Sequence, residues 1–162
     1  MRVVFVGRFQ PLHLGHVHAI KKVIKEYGDV VIVIGSINKH DKNNPFTFEE
    51  RKRMIESVFP GVKIIGVLDV NDDSLWVKLI EQKVKFDIIV TGNDWTKRCF
   101  ENAGYKVIKP DFLEPEKYSA TRIRELMRKN DDSWRKLVPK EVEKIIEEIN
   151  GVERVKKLSQ TL

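Results

Sequence analysis

Residues 3–16 read Val3-Val4-Phe5-Val6-Gly7-Arg8-Phe9-Gln10-Pro11-Leu12-His13-Leu14-Gly15-His16. Four apolar residues running into Gly7 predict a strand buried on both faces. Beyond Pro11, Val17, Ile20, Val23 and Ile24 recur at helical spacing between about Gly15 and Tyr27, and Gly28 closes the run. A buried strand, a loop and a helix in that order begin an α/β fold, and in an open parallel sheet the loop at a strand's carboxyl end is where ligands bind.

Working outward, the same alternation repeats. Val30 to Ile34 predicts a second strand, and Lys63 to Leu68, Asp87 to Val90 and Lys106 to Ile108 predict three more. Helices are predicted from Thr47, whose pairing with Glu50 makes a capping box, through Met54, Ile55 and Val58; near Ser74 to Glu81; and near Trp95 to Ala103. Beyond Pro115 only helical patterns remain: Thr121 to Lys129, Pro139 to Asn150, and one after Gly151, with Pro139 and Gly151 read as the brackets of the middle one. The fold class is therefore α/β, a Rossmann-like doubly wound parallel sheet of about five strands with a helical C-terminal tail. One domain over 1–162 is expected, an α/β core at 1–115 carrying a helical part at 116–162.

Composition narrows the function without choosing it. With 30 Lys+Arg against 24 Asp+Glu the net charge is +6, which suits a polyanionic ligand and equally a Lys/Glu-rich surface. A single Cys99 rules out a disulfide framework and a multi-cysteine zinc site, and fits a reducing cytoplasm. The apolar run at 3–6 is far shorter than a signal sequence or a membrane span, so no membrane association is expected. No RNA-binding signature or base-stacking aromatic platform is present, so no nucleic-acid partner is expected.

The first loop carries the chemistry. Gly7 lets the backbone approach a phosphate, and the new helix offers unpaired N–H groups and a positive dipole end. His13 and His16, three apart, can point toward one anion, with Gly15 keeping the space between them open; imidazole N–H groups there would donate to phosphate oxygens and need not act as bases. Two His without a carboxylate or Cys cluster make an incomplete zinc set, so no metal site is expected. His18 and His40 are expected at the surface, as are Arg51 and Arg53. A second positive helix end is predicted at Tyr118-Ser119-Ala120-Thr121-Arg122-Ile123-Arg124, with Ser119 the N-cap and Arg124 a fork for phosphate oxygens. Thr91-Gly92-Asn93 stands at the end of the fourth strand. Trp76, after Asp69-Val70-Asn71-Asp72-Asp73, is either core or an indole able to stack on a pyridinium ring.

The stretch Gly7 to His16 resembles the H-x-G-H signature of the nucleotidyltransferase superfamily, in the G-R-F-Q-P-x-H-x-G-H form of the archaeal-type nicotinamide-nucleotide adenylyltransferases. Ser119, Thr121 and Arg124 match that family's second motif, and Thr91-Gly92-Asn93 resembles its S-G-N turn. The resemblance implies transfer of AMP from ATP, with Mg²⁺ carried mainly by the triphosphate, to nicotinamide mononucleotide, giving NAD and pyrophosphate. It implies catalytic roles for Arg8, His13, His16, Arg124 and Lys42; nucleotide contacts at Gly7, Phe9, Gln10, Gly15, Gly92, Asn93, Tyr118, Ser119 and Thr121; and acceptor contacts at Asp69, Asp73 and Trp76.

Two positions depart from the family. Asp73 stands where relatives carry Asn, and Asn43 where they carry a basic residue, leaving Lys42 or Lys39 as substitutes. The alternatives are another acceptor (nicotinic acid mononucleotide, phosphopantetheine or flavin mononucleotide) or a non-catalytic nucleotide-binding module. Homo-oligomerisation is implied by the resemblance alone.

Overall fold

In the computed structural model, which describes residues 1–160, five parallel strands form one sheet in the order β3-β2-β1-β4-β5. They are β1 (Val3–Gly7), β2 (Val31–Ile34), β3 (Lys63–Gly66), β4 (Ile88–Val90) and β5 (Lys106–Ile108). In register, β1 sets Val4 against Val31 on one side and against Ile89 on the other. The order turns back between β1 and β4, which makes their carboxyl ends the switch point of a doubly wound sheet. β1, β2 and β4 are apolar on both faces and buried throughout apart from Gly7, whereas the edge strands begin with exposed Lys63 and Lys106, residues that blunt an edge against pairing.

The described residues form seven α-helices: α1 (Leu14–Tyr27), α2 (Phe48–Val58), α3 (Asp73–Lys83), α4 (Asp94–Asn102), α5 (Ala120–Arg128), α6 (Lys140–Glu148) and α7 (Gly151–Gln160). The chain divides into two compact units that interleave in sequence. One holds residues 1–8, 19–38 and 62–111, and the other residues 9–18, 39–61 and 112–162. The C-terminal helices therefore share their unit with the first loop and with α2.

In the first unit, Val4, Val6, Val31, Val33 and Ile89 form one face of the sheet and cluster with Trp76, Val77 and Ile80 of α3 and Cys99 and Phe100 of α4. The alternate residues Val3, Phe5, Ile32, Ile34, Ile88 and Val90 are buried as well, the two-sided burial expected of a parallel sheet. In the second unit, α5 packs on α7 and α6 packs on both α2 and α7. Arg154 of α7 donates to the Pro45 carbonyl at 3.2 Å and holds Glu50 with both terminal nitrogens.

Three expectations are corrected by this unit. Gly151 does not stop α6. The left-handed residue is Asn150 (φ 56°), and Gly151 opens α7, where an added Cβ would meet Ile146 Cγ2 and Phe46 Cε1 at 3.0 Å. Pro139 is the N-cap of α6 rather than its first helical residue. Arg51, expected in solvent, is fully buried on α2 with its Nε donating to the Thr47 carbonyl at 3.2 Å, whereas Arg53 is exposed and paired with Glu148. A 3-10 turn at Asp132–Leu137, which places Trp134 in the core, has no periodic signature in the sequence. No helix among the described residues is long and apolar enough to cross a membrane.

Candidate active site

The paired imidazoles of the second unit stand at the start of α1. His13 precedes the helix and His16 lies in its first turn, with the two rings stacked at 3.7 Å between centroids. Their Nδ1 atoms are both spoken for. His13 Nδ1 accepts the Gly15 N–H at 3.0 Å and the His16 N–H at 3.3 Å, and His16 Nδ1 accepts the His13 N–H at 3.2 Å. A nitrogen that accepts carries no proton, so each neutral ring bears its hydrogen on Nε2. Burial pushes the His13 pKa down to about 3, and burial followed by the neighbouring His13 holds His16 well below its ordinary value. Phe9 at 4.8 Å and Phe112 at 6.2 Å flank the His16 ring. The pair is thus two uncharged N–H donors at the positive end of a helix.

Gly15 does not leave its space open. An added Cβ would lie 2.9 Å from His13 Cε1 and 3.2 Å from Tyr118 Cβ, so the absent side chain is what lets the His13 ring fold back over its own helix. Arg124, buried at the middle of α5, donates from Nη1 to the Gln10 carbonyl at 2.8 Å and from Nη2 to Thr121 Oγ1 at 3.4 Å. Ser119 caps α5 by accepting the Arg122 N–H at 3.0 Å. His13, His16, Gly15, Tyr118, Ser119, Thr121 and Arg124 are thereby gathered within one unit. Among the described residues no three His, Cys, Asp or Glu side chains group as an ion site.

Phe9 and Gln10 take other places than expected. Gln10 is buried with both ends of its amide spent on one residue, Nε2 donating to the Phe46 carbonyl at 3.0 Å and Oε1 accepting the Phe46 N–H at 2.9 Å. Phe9 is buried in a left-handed conformation (φ 54°). Gln10 thereby ties the first loop to the chain entering α2. The clasp on Phe46 escaped the sequence reading, although the Pro45-Phe46-Thr47 run before a capping box marks a fixed chain entry. Lys42 is exposed, and its carbonyl accepts Arg128 Nη2 at 2.8 Å. Beside it Asp41 Oδ1 accepts the N–H groups of Asn43 and Asn44, a tight polar turn.

In the first unit, Gly7 ends β1 and Arg8 follows it, and the Gly7 carbonyl accepts the Gly35 N–H at 2.9 Å. Thr91-Gly92-Asn93 follows neighbouring β4, where Asn93 caps α4 by accepting the Thr96 N–H at 2.9 Å. Asp69 after β3 accepts from Ser36 Oγ at 2.8 Å, and its backbone pairs with the Asn38 amide at 2.8 and 3.2 Å. Ser36 sits at φ 55°, and both Ser36 and Asn38 lie in the long polar connection that follows β2. Trp76 is core. It is 2% exposed, packed on Phe100 and Trp95, and so has no open face for a ligand ring. The exposed indole is Trp95, at 37%.

A doubly wound sheet whose first loop runs into paired imidazoles at a helix start defines a nucleotidyltransferase, and the comparisons agree. The chain belongs to the cytidylyltransferase-like family, whose model matches residues 4–126. Within that family it groups with the nicotinamide-nucleotide adenylyltransferases. It is 43% identical to the one from Thermococcus sibiricus, over 100% of this chain and 91% of the relative, and 40% identical to the one from Sulfurisphaera tokodaii, over 99% and 98%. Among solved structures it resembles a bifunctional NMN adenylyltransferase/ADP ribose pyrophosphatase from Francisella tularensis complexed with AMP and a manganese ion (TM-score 0.70, 25% identity, 96% of this chain). It also resembles Thermotoga maritima TmcAL bound with alpha-thio ATP (TM-score 0.68, 13% identity, 94% of this chain), which shows the fold alone. The chain spans about half the length of these solved chains, 52% and 56%.

Proposed function

We propose that the protein transfers AMP from ATP to nicotinamide mononucleotide, releasing pyrophosphate and forming NAD. The observation that carries this reading is the pair of neutral imidazoles whose Nε2–H groups are fixed as donors by backbone N–H bonds to Nδ1. An oxygen of the acceptor's phosphate attacks the α-phosphorus of ATP in line, the bond to the bridging oxygen breaks, and pyrophosphate leaves with that electron pair. The nucleophile is already ionised, so no general base is required. What remains is alignment and stabilisation of the charge gathering on the phosphoryl oxygens. His13 and His16 donate there. Arg124, already anchored to the loop through Gln10, holds phosphate oxygens; Arg8 and Lys42 add positive charge, and Mg²⁺ arrives on the triphosphate.

Gly7, Gly92 and Asn93, at the carboxyl ends of adjacent strands, serve the nucleotide. Asp69 and Asp73 serve the acceptor. The relatives' names support the choice of acceptor, and the G-R-F-Q form of the first loop supports it over phosphopantetheine or flavin mononucleotide. The resemblance also supports a homo-oligomer, which light scattering on the purified chain would establish.

The test is incubation with ATP, Mg²⁺ and a panel of mononucleotide acceptors while pyrophosphate is followed. Release with nicotinamide mononucleotide, matched by NAD, is the expected outcome. A protein that binds ATP and releases no pyrophosphate with any acceptor is a binding module instead.

A further inference from the structure

α3 and α4 both begin at the carboxyl end of the sheet, and their first turns carry Asp73 and Trp95. Trp95 Nε1 donates to Asp73 Oδ1 at 3.2 Å, and its ring lies 4.8 Å from that of Trp76 at a tilt of 49°. The Cys99 thiol is pushed up first by burial and then by the same carboxylate, which places Asp73 beside the buried edge of α4 as well. An exposed indole ordinarily turns about two torsions. This one has its N–H edge fixed by a carboxylate and its position fixed by a buried indole, while 37% of it stays in solvent. It is an aromatic surface ordered in advance, with a negative charge at its polar edge.

Such a surface has a definite preference. The indole face attracts a planar cation, and the carboxylate adds attraction of the same sign. A pyridinium ring with a neutral substituent meets both, whereas a ring bearing its own carboxylate meets repulsion from Asp73. The neighbouring carboxylates Asp72 and Asp69 carry charge of the same sign and are themselves committed, to the Leu75 N–H and to Ser36.

We infer that Asp73 and Trp95 act together to select the acceptor, Trp95 supplying a stacking face and Asp73 the charge that favours a carboxamide-bearing pyridinium over a carboxylate-bearing one. This rests on the proposed reading that the acceptor is a pyridine mononucleotide.

The experiment compares kcat and KM for nicotinamide mononucleotide and nicotinic acid mononucleotide, each with saturating ATP and Mg²⁺, in the wild type and in Asp73→Asn, Trp95→Leu and Trp95→Phe, with thermal melts as the control for folding. Asn still accepts from Trp95, so Asp73→Asn removes charge and keeps the hydrogen bond. The preference for the amide acceptor should fall about tenfold in kcat/KM, through a lower KM for the acid, the scale of one partly screened charge pair. Trp95→Leu should raise KM for both acceptors about tenfold with KM for ATP unmoved, and Trp95→Phe should restore most of it. An unchanged preference in Asp73→Asn, or a Trp95→Leu effect confined to ATP, overturns the inference while leaving the activity standing. A wild type that makes no dinucleotide from either acceptor strikes the reading of function itself.

Discussion

At His13 and His16 the decisive property is a tautomer. Three backbone N–H groups, which α1 would otherwise leave without partners at its start, are accepted by the two Nδ1 atoms, so one arrangement satisfies the helix and aims the Nε2–H donors. His16→Ala should therefore lower kcat by about a hundredfold or more, the scale of a lost oxyanion donor, with KM for ATP changed far less; steady-state kinetics decide it, and a kcat within threefold of wild type removes His16 from the mechanism. Gly15→Ala tests the backing of His13, because a methyl group 2.9 Å from the ring must push it away. A fall in kcat comparable to that of a His13 variant, with the helix content unchanged by circular dichroism, is the expected result. The motif was legible in the sequence because its spacing and its place after the first strand are unusual together. The tautomer was not, since it depends on which N–H groups fold back onto which nitrogen.

Among the elements, periodicity placed the strands and helices within a residue or two, because burial on both faces of a parallel sheet writes unbroken apolar runs such as Val3 to Val6 and Val31 to Ile34. Capping chemistry was equally legible at Thr47, where side chain and Glu50 exchange bonds as the pattern implies. What failed were residues whose role is set by distant partners. Gly151 reads as a helix stop by its type, yet Phe46 and Ile146 crowd it from positions that no local pattern records. Trp76 reads equally as core or as ligand-facing from its place after a strand, and only its helix's packing against Phe100 and Trp95 decides for the core, leaving the indole of the next helix exposed. Gln10 looks like a ligand contact until Phe46 is seen to take its whole amide. Gln10→Ala leaves the Phe46 N–H and carbonyl without their partner in a buried setting, which should cost about 1–3 kcal/mol in urea unfolding; a cost below about 0.5 kcal/mol would mean that the loop holds its shape without the clasp.

For the whole molecule, the neutral histidines make stability depend on pH in a window of their own. In the unfolded chain each titrates near 6.5. In the folded chain His13 is depressed to about 3 and His16 lies well below its ordinary value. Above about 6.5 neither state holds these protons and the stabilisation is complete. As the pH drops, the unfolded state takes them up first, so stability declines, by at most about 1.4 kcal/mol per pH unit for each group. Carboxylates begin to protonate only nearer 4, so the span from 6.5 to about 4.5 belongs to histidine. Urea midpoints at pH 7.5 and 5.0 should differ, and His13→Asn should shrink the difference; a midpoint constant across that span would mean that these rings can charge in place.

The same unit contains a short mechanical chain of another kind. Arg128 at the end of α5 holds the Lys42 carbonyl with one nitrogen and Ser159 of α7 with another, at 2.8 and 2.6 Å. A single guanidinium therefore couples the penultimate residue of α7 to the turn that presents Lys42. An environment-sensitive dye on the solvent side of that final turn would register rearrangement of the turn from a distance, a way to watch the loop during turnover without placing anything near the reacting phosphates.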